Sequence, residues 1–191
     1  MARVMKMTET RALTGAKVCL RPLGEHDLPT LQIWFNDPDV RHWLHQSERP
    51  EATLEDIRER ILRPTEQNTI AWVIEADGRP IGVLRLMDID PYHRRCELAI
   101  SIGEKEYWGR GYGTDAIGQA LGYAFGVLEL GRVGLLTDAD NARGIRCYEK
   151  CGFVREGVLR HHRLRYGRPL DMVFMGALGE EWERSEVRGQ R

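Results

Sequence analysis

Cysteine is sparse in this chain, with four residues and no C-x-x-C pair, which argues against a disulfide framework and against zinc-type ligand spacing. Cys147 and Cys151 stand one helical turn apart, but no histidine or further cysteine completes a ligand set, so no metal is expected and buried thiols in a reducing compartment are the reading. Long apolar runs are also missing. None approaches the ~18 residues of a membrane span, and Met1 to Ala16 lacks an apolar signal core. A cytoplasmic protein with no membrane partner is expected. Charge of one sign is absent too: 28 Lys and Arg against 29 Asp and Glu leave a formal net charge of −1, interleaved along the chain, so no field favours nucleic acid. There is no internal repeat, low-complexity tract or linker, and 191 residues suffice for one domain with a substantial core.

What is present reads as one α/β domain on a mixed sheet. Val18 to Arg21 is a short strand ended by Pro22. Glu25 to Phe35 carries Leu28, Leu31 and Phe35 on one helical face and is broken by Asp37-Pro38. Thr53 to Leu62 is a second helix, with Thr53 and Asp56 at capping-box positions and Pro64 as its stop. Thr69 to Glu75 and Pro80 to Met87 form a hairpin across Asp77-Gly78. Arg95 to Ile102 alternates Glu97, Ala99 and Ser101 with Leu98, Ile100 and Ile102. A long helix, Thr114 to Leu128, is closed by Gly131. Val133 to Thr137 is a buried strand, and Asn141 to Cys151 a helix stopped by Gly152. Val154 to Arg160 and Leu170 to Met175 pair last, around Tyr166-Gly167-Arg168-Pro169.

The segment richest in chemical information is Trp108-Gly109-Arg110-Gly111-Tyr112-Gly113-Thr114, where alternate glycines bare the backbone as a helix begins. Unpaired N–H groups and the positive end of the macrodipole make such a place a phosphate cradle. A P-loop is excluded, because no Gly-Lys-Ser/Thr follows. Gly111 to Ala116 also fits the dinucleotide pattern G-x-G-x-x-A, with Asp138 some twenty residues on. Against that reading, Gly103 to Tyr107 separate the glycines from the strand, and no further βαβ units follow.

A second motif, Asn141-Ala142-Arg143-Gly144-Ile145-Arg146-Cys147-Tyr148-Glu149-Lys150-Cys151-Gly152-Phe153, places Asn141 and Tyr148 on one helix face two turns apart. Gly144 lies between them at a cost of roughly 1 kcal/mol in helix propensity, which suggests either a close approach or simple drift. Together the two motifs resemble the GNAT superfamily of acetyl-CoA-dependent N-acetyltransferases. Asn36-Asp37-Pro38-Asp39-Val40-Arg41 and Gly167-Arg168-Pro169-Leu170-Asp171-Met172-Val173 resemble its branch of ribosomal-protein N-terminal acetyltransferases, with spermidine and aminoglycoside acetyltransferases nearby. One departure is Trp108, where the family places Gln or Arg. The likeness runs from about Val18 to Leu178, so residues 17–179 are expected to form the acetyltransferase domain. Residues 1–16 then read as a flexible extension and 180–191 as a charged tail.

The resemblance implies a GNAT-like fold: a mixed, mostly antiparallel sheet of about six or seven strands flanked by helices and splayed at its two central strands. It implies that the backbone of Gly109, Arg110, Gly111, Tyr112, Gly113 and Thr114 holds the pyrophosphate of acetyl-CoA. The pantetheine would lie along the Arg95–Ile102 strand, with a backbone N–H of Ile100, Ser101 or Ile102 meeting the thioester oxygen and Asn141 close by. Tyr148 is the expected general acid. Its reference pKa of about 10 exceeds the ~8.5 of a thiol, so outright transfer is uphill by about 2 kcal/mol, but hydrogen-bond donation to a departing thiolate suits it. Glu97 is the expected base, working through water, with Asp138 its rival. Asp115, in the first turn of the long helix, complements the dipole. The acceptor would be a primary amine, a peptide N-terminus or a small molecule. Glu48, Glu51, Glu55, Asp56 and Glu59 stand among Arg41, Arg49, Arg58 and Arg60, so a solvated helix face is the preferred reading and an acidic pocket for a polyamine or aminoglycoside its alternative; His93, His161 and His162 are further cleft candidates. A non-catalytic acyl-CoA-binding module is the alternative of another class, and a homodimer is compatible with the chain.

Overall fold

Asp77 and Gly78 both adopt positive φ, 51° and 72°, the pair of left-handed residues that a tight hairpin turn requires. They join two strands near the centre of the sheet in a computed structural model that describes residues 10–44, 49–66 and 68–182. The strands are β1 (Leu13–Thr14), β2 (Cys19–Pro22), β3 (Ile70–Ala76), β4 (Arg79–Asp90), β5 (Arg95–Ile102), β6 (Arg132–Asp138), β7 (Val154–Arg165) and β8 (Arg168–Leu178). They form one sheet in the order β1-β2-β3-β4-β5-β6-β8-β7. Every neighbouring pair is antiparallel except β5–β6. That parallel pair holds for Arg95↔Arg132, Cys96↔Val133 and Glu97↔Gly134 and goes no further. On its other side β5 stays paired with β4 as far as Ile102. The sheet therefore forks beyond Glu97.

Strand alternation sorts the two faces. Leu84, Leu86 and Leu98 enter a core with Ile117 and Leu121 of α4 (Tyr112–Gly126) and Ile145 of α5 (Ala142–Lys150). Val83 faces the other way, into a core with Leu31, Trp34 and Phe35 of α1 (Leu28–Asn36) and Ile57 of α3 (Leu54–Ile57). Arg85 and Met87 of β4, and Glu97, Ala99 and Ser101 of β5, share the Val83 face by register.

Several elements differ from the sequence reading. The sheet has eight strands rather than six or seven, because Leu13–Thr14, within the segment read as an extension, pairs with β2. Asp37-Pro38 ends one helix and starts another, α2 (Pro38–Trp43): the Asp37 carboxylate accepts from the N–H groups of Asp39 and Val40 at 2.9 and 3.2 Å. The Thr53–Asp56 capping box is present, but after Ile57 the helix widens into a π turn, Arg58–Leu62, and then a 3-10 turn, Arg63–Glu66, so Pro64 sits inside a helical turn instead of ending it. The last hairpin turns tightly at Tyr166-Gly167, with Arg168 and Pro169 already in β8. Trp182, in the expected tail, packs on Phe125 with ring centroids 5.7 Å apart.

Asp115 does more than complement a dipole. Its carboxylate accepts from the backbone N–H groups of Ala16, Lys17 and Val18 at 3.2, 2.9 and 3.0 Å, fastening the first strands to the start of α4. Asp115→Ala should lower the unfolding free energy by about 2 kcal/mol, as hydrogen bonds to a charged acceptor are lost. Asp115→Asn, which keeps one carbonyl acceptor, should fall between. Urea unfolding at neutral pH reads both, and an unchanged midpoint would remove the clamp from the account of stability.

Candidate active site

A cavity of about 570 Å³ opens where β5 and β6 part. Glu97 to Ile102 form one wall and Leu135 to Thr137 the other. Gly109, Gly111 and Gly113 lie at one end, Asn141, Gly144 and Tyr148 of α5 at the side, and Val40, Trp43 and Leu44 across the mouth. Past Glu97, the edge of β5 that faces β6 has no strand partner. In a strand, alternate N–H groups point to that edge and so into the cleft.

Gly111 is the N-cap of α4 with φ 87°, a conformation that a side chain would strain. The first helical hydrogen bond runs from the Asp115 N–H to the Gly111 carbonyl at 3.0 Å, and no side chain caps this end. The N–H groups of Tyr112, Gly113 and Thr114 thus stand ahead of the helical ladder, as an anion cradle needs. A Cβ on Gly113 would come within 3.7 Å of Cys147 Sγ and 3.9 Å of Ile100 Cδ1, ordinary contacts. Nothing in the protein itself demands glycine there, whereas a phosphate group brought against this backbone would. The cradle fits the pyrophosphate of CoA.

The Arg110 and Tyr112 side chains do not line the cavity. Arg110 Nη1 donates to the Glu106 carbonyl at 3.2 Å, and the Tyr112 ring packs edge-on against Tyr107 at 4.9 Å. These two residues offer backbone only. Trp108, at the position where the family has Gln or Arg, donates its indole N–H to the Ile102 carbonyl at 2.8 Å. The Arg143 guanidinium lies 4.1 Å from the Trp108 ring, and burial pushes its pKa below the usual arginine value.

Asn141 caps α5, its Oδ1 accepting from the Gly144 N–H at 2.9 Å, and its Nδ2 donates to Thr137 Oγ1 at 3.2 Å. A Cβ on Gly144 would stand 2.4 Å from Asn141 Nδ2, so the close approach inferred for Gly144 is that of the cap itself. Two turns on, Tyr148 lines the same cavity as Thr137. Burial pushes the Tyr148 phenol above its ordinary value, the neighbouring Cys147 and Cys151 add to the rise, and the polar Thr137 side chain opposes it. Cys147 and Cys151 are free thiols that both meet Thr114, whose Oγ1 lies 3.3 Å from Cys147 Sγ and whose carbonyl accepts from Cys151 Sγ at 3.6 Å.

Glu97 occupies the vertex of the fork, exposed, as the last residue of β5 paired to β6. Asp138 is placed differently. It is 1% exposed, with Oδ1 accepting from Arg163 Nε at 2.7 Å and Oδ2 from Arg163 Nη2 and Arg165 Nη2 at 2.8 and 2.6 Å. It does not line the cavity. A carboxylate bound on both oxygens by guanidinium donors is a poor proton acceptor, which removes the rival to Glu97. The histidines are not brought in either: His93 Nδ1 lies 2.6 Å from Asp90 Oδ2, and His161 and His162 stand exposed on β7. Of the two readings of the acids around α3, the solvated face fits and the acidic pocket does not. Glu48 lies outside the described residues. Glu51 does not line the cavity, Glu55 pairs with Arg58 and Arg63, Glu59 pairs with Arg63, and Asp56 is taken up by the Thr53 cap. Among the described residues Glu97 is the one carboxylate of the lining, and Arg85, Arg143, Arg146 and Lys150 join it.

A family model described as Acetyltransferase (GNAT) domain matches residues 17–154. The spermidine N(1)-acetyltransferase of Escherichia coli (strain K12) is 35% identical over 145 residues, 75% of this chain and 76% of that protein. That of Vibrio cholerae is 28% identical over 174 residues, 90% and 99% of the two. The crystal structure of the Vibrio cholerae spermidine N-acetyltransferase in complex with CoA and spermine superposes with a TM-score of 0.79 at 27% identity, over 87% of this chain and 98% of that one. The chain belongs to the GNAT acetyltransferase family and is an acetyl-CoA-dependent acyltransferase. The dinucleotide reading of the glycines falls with this. The expected kinship to the ribosomal-protein branch gives way to the family as a whole, since the relatives named here include spermidine acetyltransferases. Among the described residues no helix is long and apolar enough to cross a membrane.

Gly113→Val should fold with near wild-type stability, because its side chain meets only ordinary contacts, yet bind CoA at least about tenfold more weakly, as a side chain displaces phosphate from the helix N-terminus. Calorimetric titration beside a thermal melt separates the two effects. Full affinity in a folded variant would place the pyrophosphate elsewhere.

Proposed function

We propose that this chain transfers acetyl from acetyl-CoA to a primary amine, with Glu97 as general base and Tyr148 as general acid. The observation that carries the reading is the fork: one cavity joins a glycine cradle, an open strand edge, an exposed carboxylate at the vertex and a tyrosine on the facing helix. Backbone N–H groups between Gly109 and Thr114 would hold the pyrophosphate. Bound acetyl-CoA supplies the activated thioester. The unpaired edge of β5, at Ile100 to Ile102, offers N–H donors to a developing oxyanion in a site closed by Trp43 and Leu44. An alkylamine near pKa ~10 arrives protonated at neutral pH, so Glu97, in contact with water, takes its proton. Tyr148 holds a proton at its hydroxyl oxygen, available to the departing sulfur, and its raised pKa keeps that proton in place through neutral and mildly alkaline pH. A polyamine acceptor is the second reading, favoured by the spermidine N(1)-acetyltransferase that is 35% identical.

Tyr148→Phe should keep CoA affinity and lower kcat about 10²-fold, since only the hydroxyl is lost. Unchanged turnover where chemistry limits the rate would return Tyr148 to core packing. Glu97→Gln should lose most activity at low pH, where the amine is most protonated, and recover as pH approaches the amine's own pKa. If Glu97 only anchors a cationic amine, KM rises and kcat stays near wild type. A pH series of kcat at saturating amine decides between these roles.

A further inference from the structure

Arg85 is a cation that the acetyl-transfer chemistry leaves unused. It lies on β4 opposite Ala99 and one diagonal step from Glu97, on the sheet face turned away from α4. Its guanidinium lines the cavity, and its Nη1 donates to the Arg60 carbonyl at 3.0 Å. Among the described residues no carboxylate pairs with it, and burial lowers its pKa without any opposing acid. A guanidinium carries five N–H donors, and leaving a desolvated one without an anion is costly. The phosphate cradle approaches the same cavity from the N-terminus of α4, a helix that packs on the other face of the sheet.

An anionic group on the second substrate would meet the Arg85 guanidinium from the Glu97 face of the sheet. Diagonal neighbours on adjacent strands stand about 7–8 Å apart, a span that a small amine can bridge with its nitrogen at Glu97 and an acidic group at Arg85. A polycation meets the opposite conditions here: among the described residues the lining has one carboxylate beside a half-buried arginine, and Glu55, Asp56 and Glu59 are engaged in ion pairs and a cap. We propose that Arg85 selects an acceptor amine bearing an anionic group, a carboxylate or a phosphate, over a polyamine. This rests on the amine-acetylation reading and narrows it to a substrate class.

The test follows thiol release from acetyl-CoA with 4-aminobutyrate, phosphoethanolamine, their neutral counterparts 4-aminobutyramide and ethanolamine, and spermidine. The wild type should favour an anionic amine over its neutral counterpart by about 10²-fold in kcat/KM, as a site built for a polar group rejects the analogue that lacks it. Whichever of the two anionic amines leads identifies the group. R85Q should bring that ratio near one, chiefly through KM, and R85K should restore part of it. Equal use of anionic and neutral amines, or preference for spermidine, overturns the proposal. Calorimetry of 4-aminobutyrate and phosphoethanolamine into the CoA-bound protein reads the site without turnover. Binding lost in R85Q with no acetylation of any amine would uphold the anion site and sink the acetylation reading. Spermidine turnover indifferent to R85Q would do the reverse.

Discussion

The limit on parallel pairing between β5 and β6 is the constraint from which the site follows. A parallel pair needs a crossover, and here that crossover carries α4 from the end of β5 back to the start of β6. The helix therefore begins beside the carboxyl end of β5, where ligands of parallel strands gather. Since pairing stops at Glu97↔Gly134, the strands part just below that helix N-terminus. The cradle, the open strand edge and the vertex carboxylate are three consequences of one short ladder.

A fork must be held from outside, because its inner edges give up their mutual hydrogen bonds. On one side β4 holds β5 through Ile102, and on the other β8 holds β6 along its whole length, from Arg132↔Leu178 to Asp138↔Met172. Asp138 then ties the end of β6 to β7 through Arg163 and Arg165. Arg165 also meets Asp140 and stands 5.5 Å from the Trp43 ring, linking the last hairpin to α2 at the cavity mouth. Buried charges are tolerated there because each carboxylate oxygen has a guanidinium donor. The carboxylate that looked catalytic by position is the one that the architecture needs as a fastening.

The parts of this protein legible in its sequence are those governed by local rules. The Asp77-Gly78 turn, the β5 alternation, the Thr53 box and the Asn141 cap each depend on residues a few positions apart, and each is found. The two glycine and tyrosine motifs were legible for the same reason. What escaped depends on long-range placement. Asp138 reads as a free loop acid until β7 brings two arginines to it, and the α3 acids stay divided between a solvated face and a pocket until Arg58 and Arg63 claim them. Arg85 stood in plain alternation with Val83 and Met87, but only the face assignment of β4 reveals that it enters the cavity. Trp108 departs from the family pattern, and its bond to the Ile102 carbonyl shows what replaces the missing polar side chain: a cap on the strand end and a ring beneath Arg143.

Helix α5 is tied to the forked strand at its first turn. Asn141 begins the helix by accepting from the Gly144 N–H and reaches Thr137 on β6 through its side-chain amide. The start of the helix is thereby fixed against β6, and Tyr148, two turns after Asn141 on the same face, lines the cavity together with Thr137. The Tyr148 ring also packs on Phe153 with centroids 6.1 Å apart, so it is held by the chain that follows the helix as well as by the helix itself. Gly144 is what this arrangement requires, because a Cβ there would drive into the Asn141 amide. A larger residue at 144 would release the cap, and Tyr148, one turn farther along, would lose the anchored helix that sets its place in the cavity.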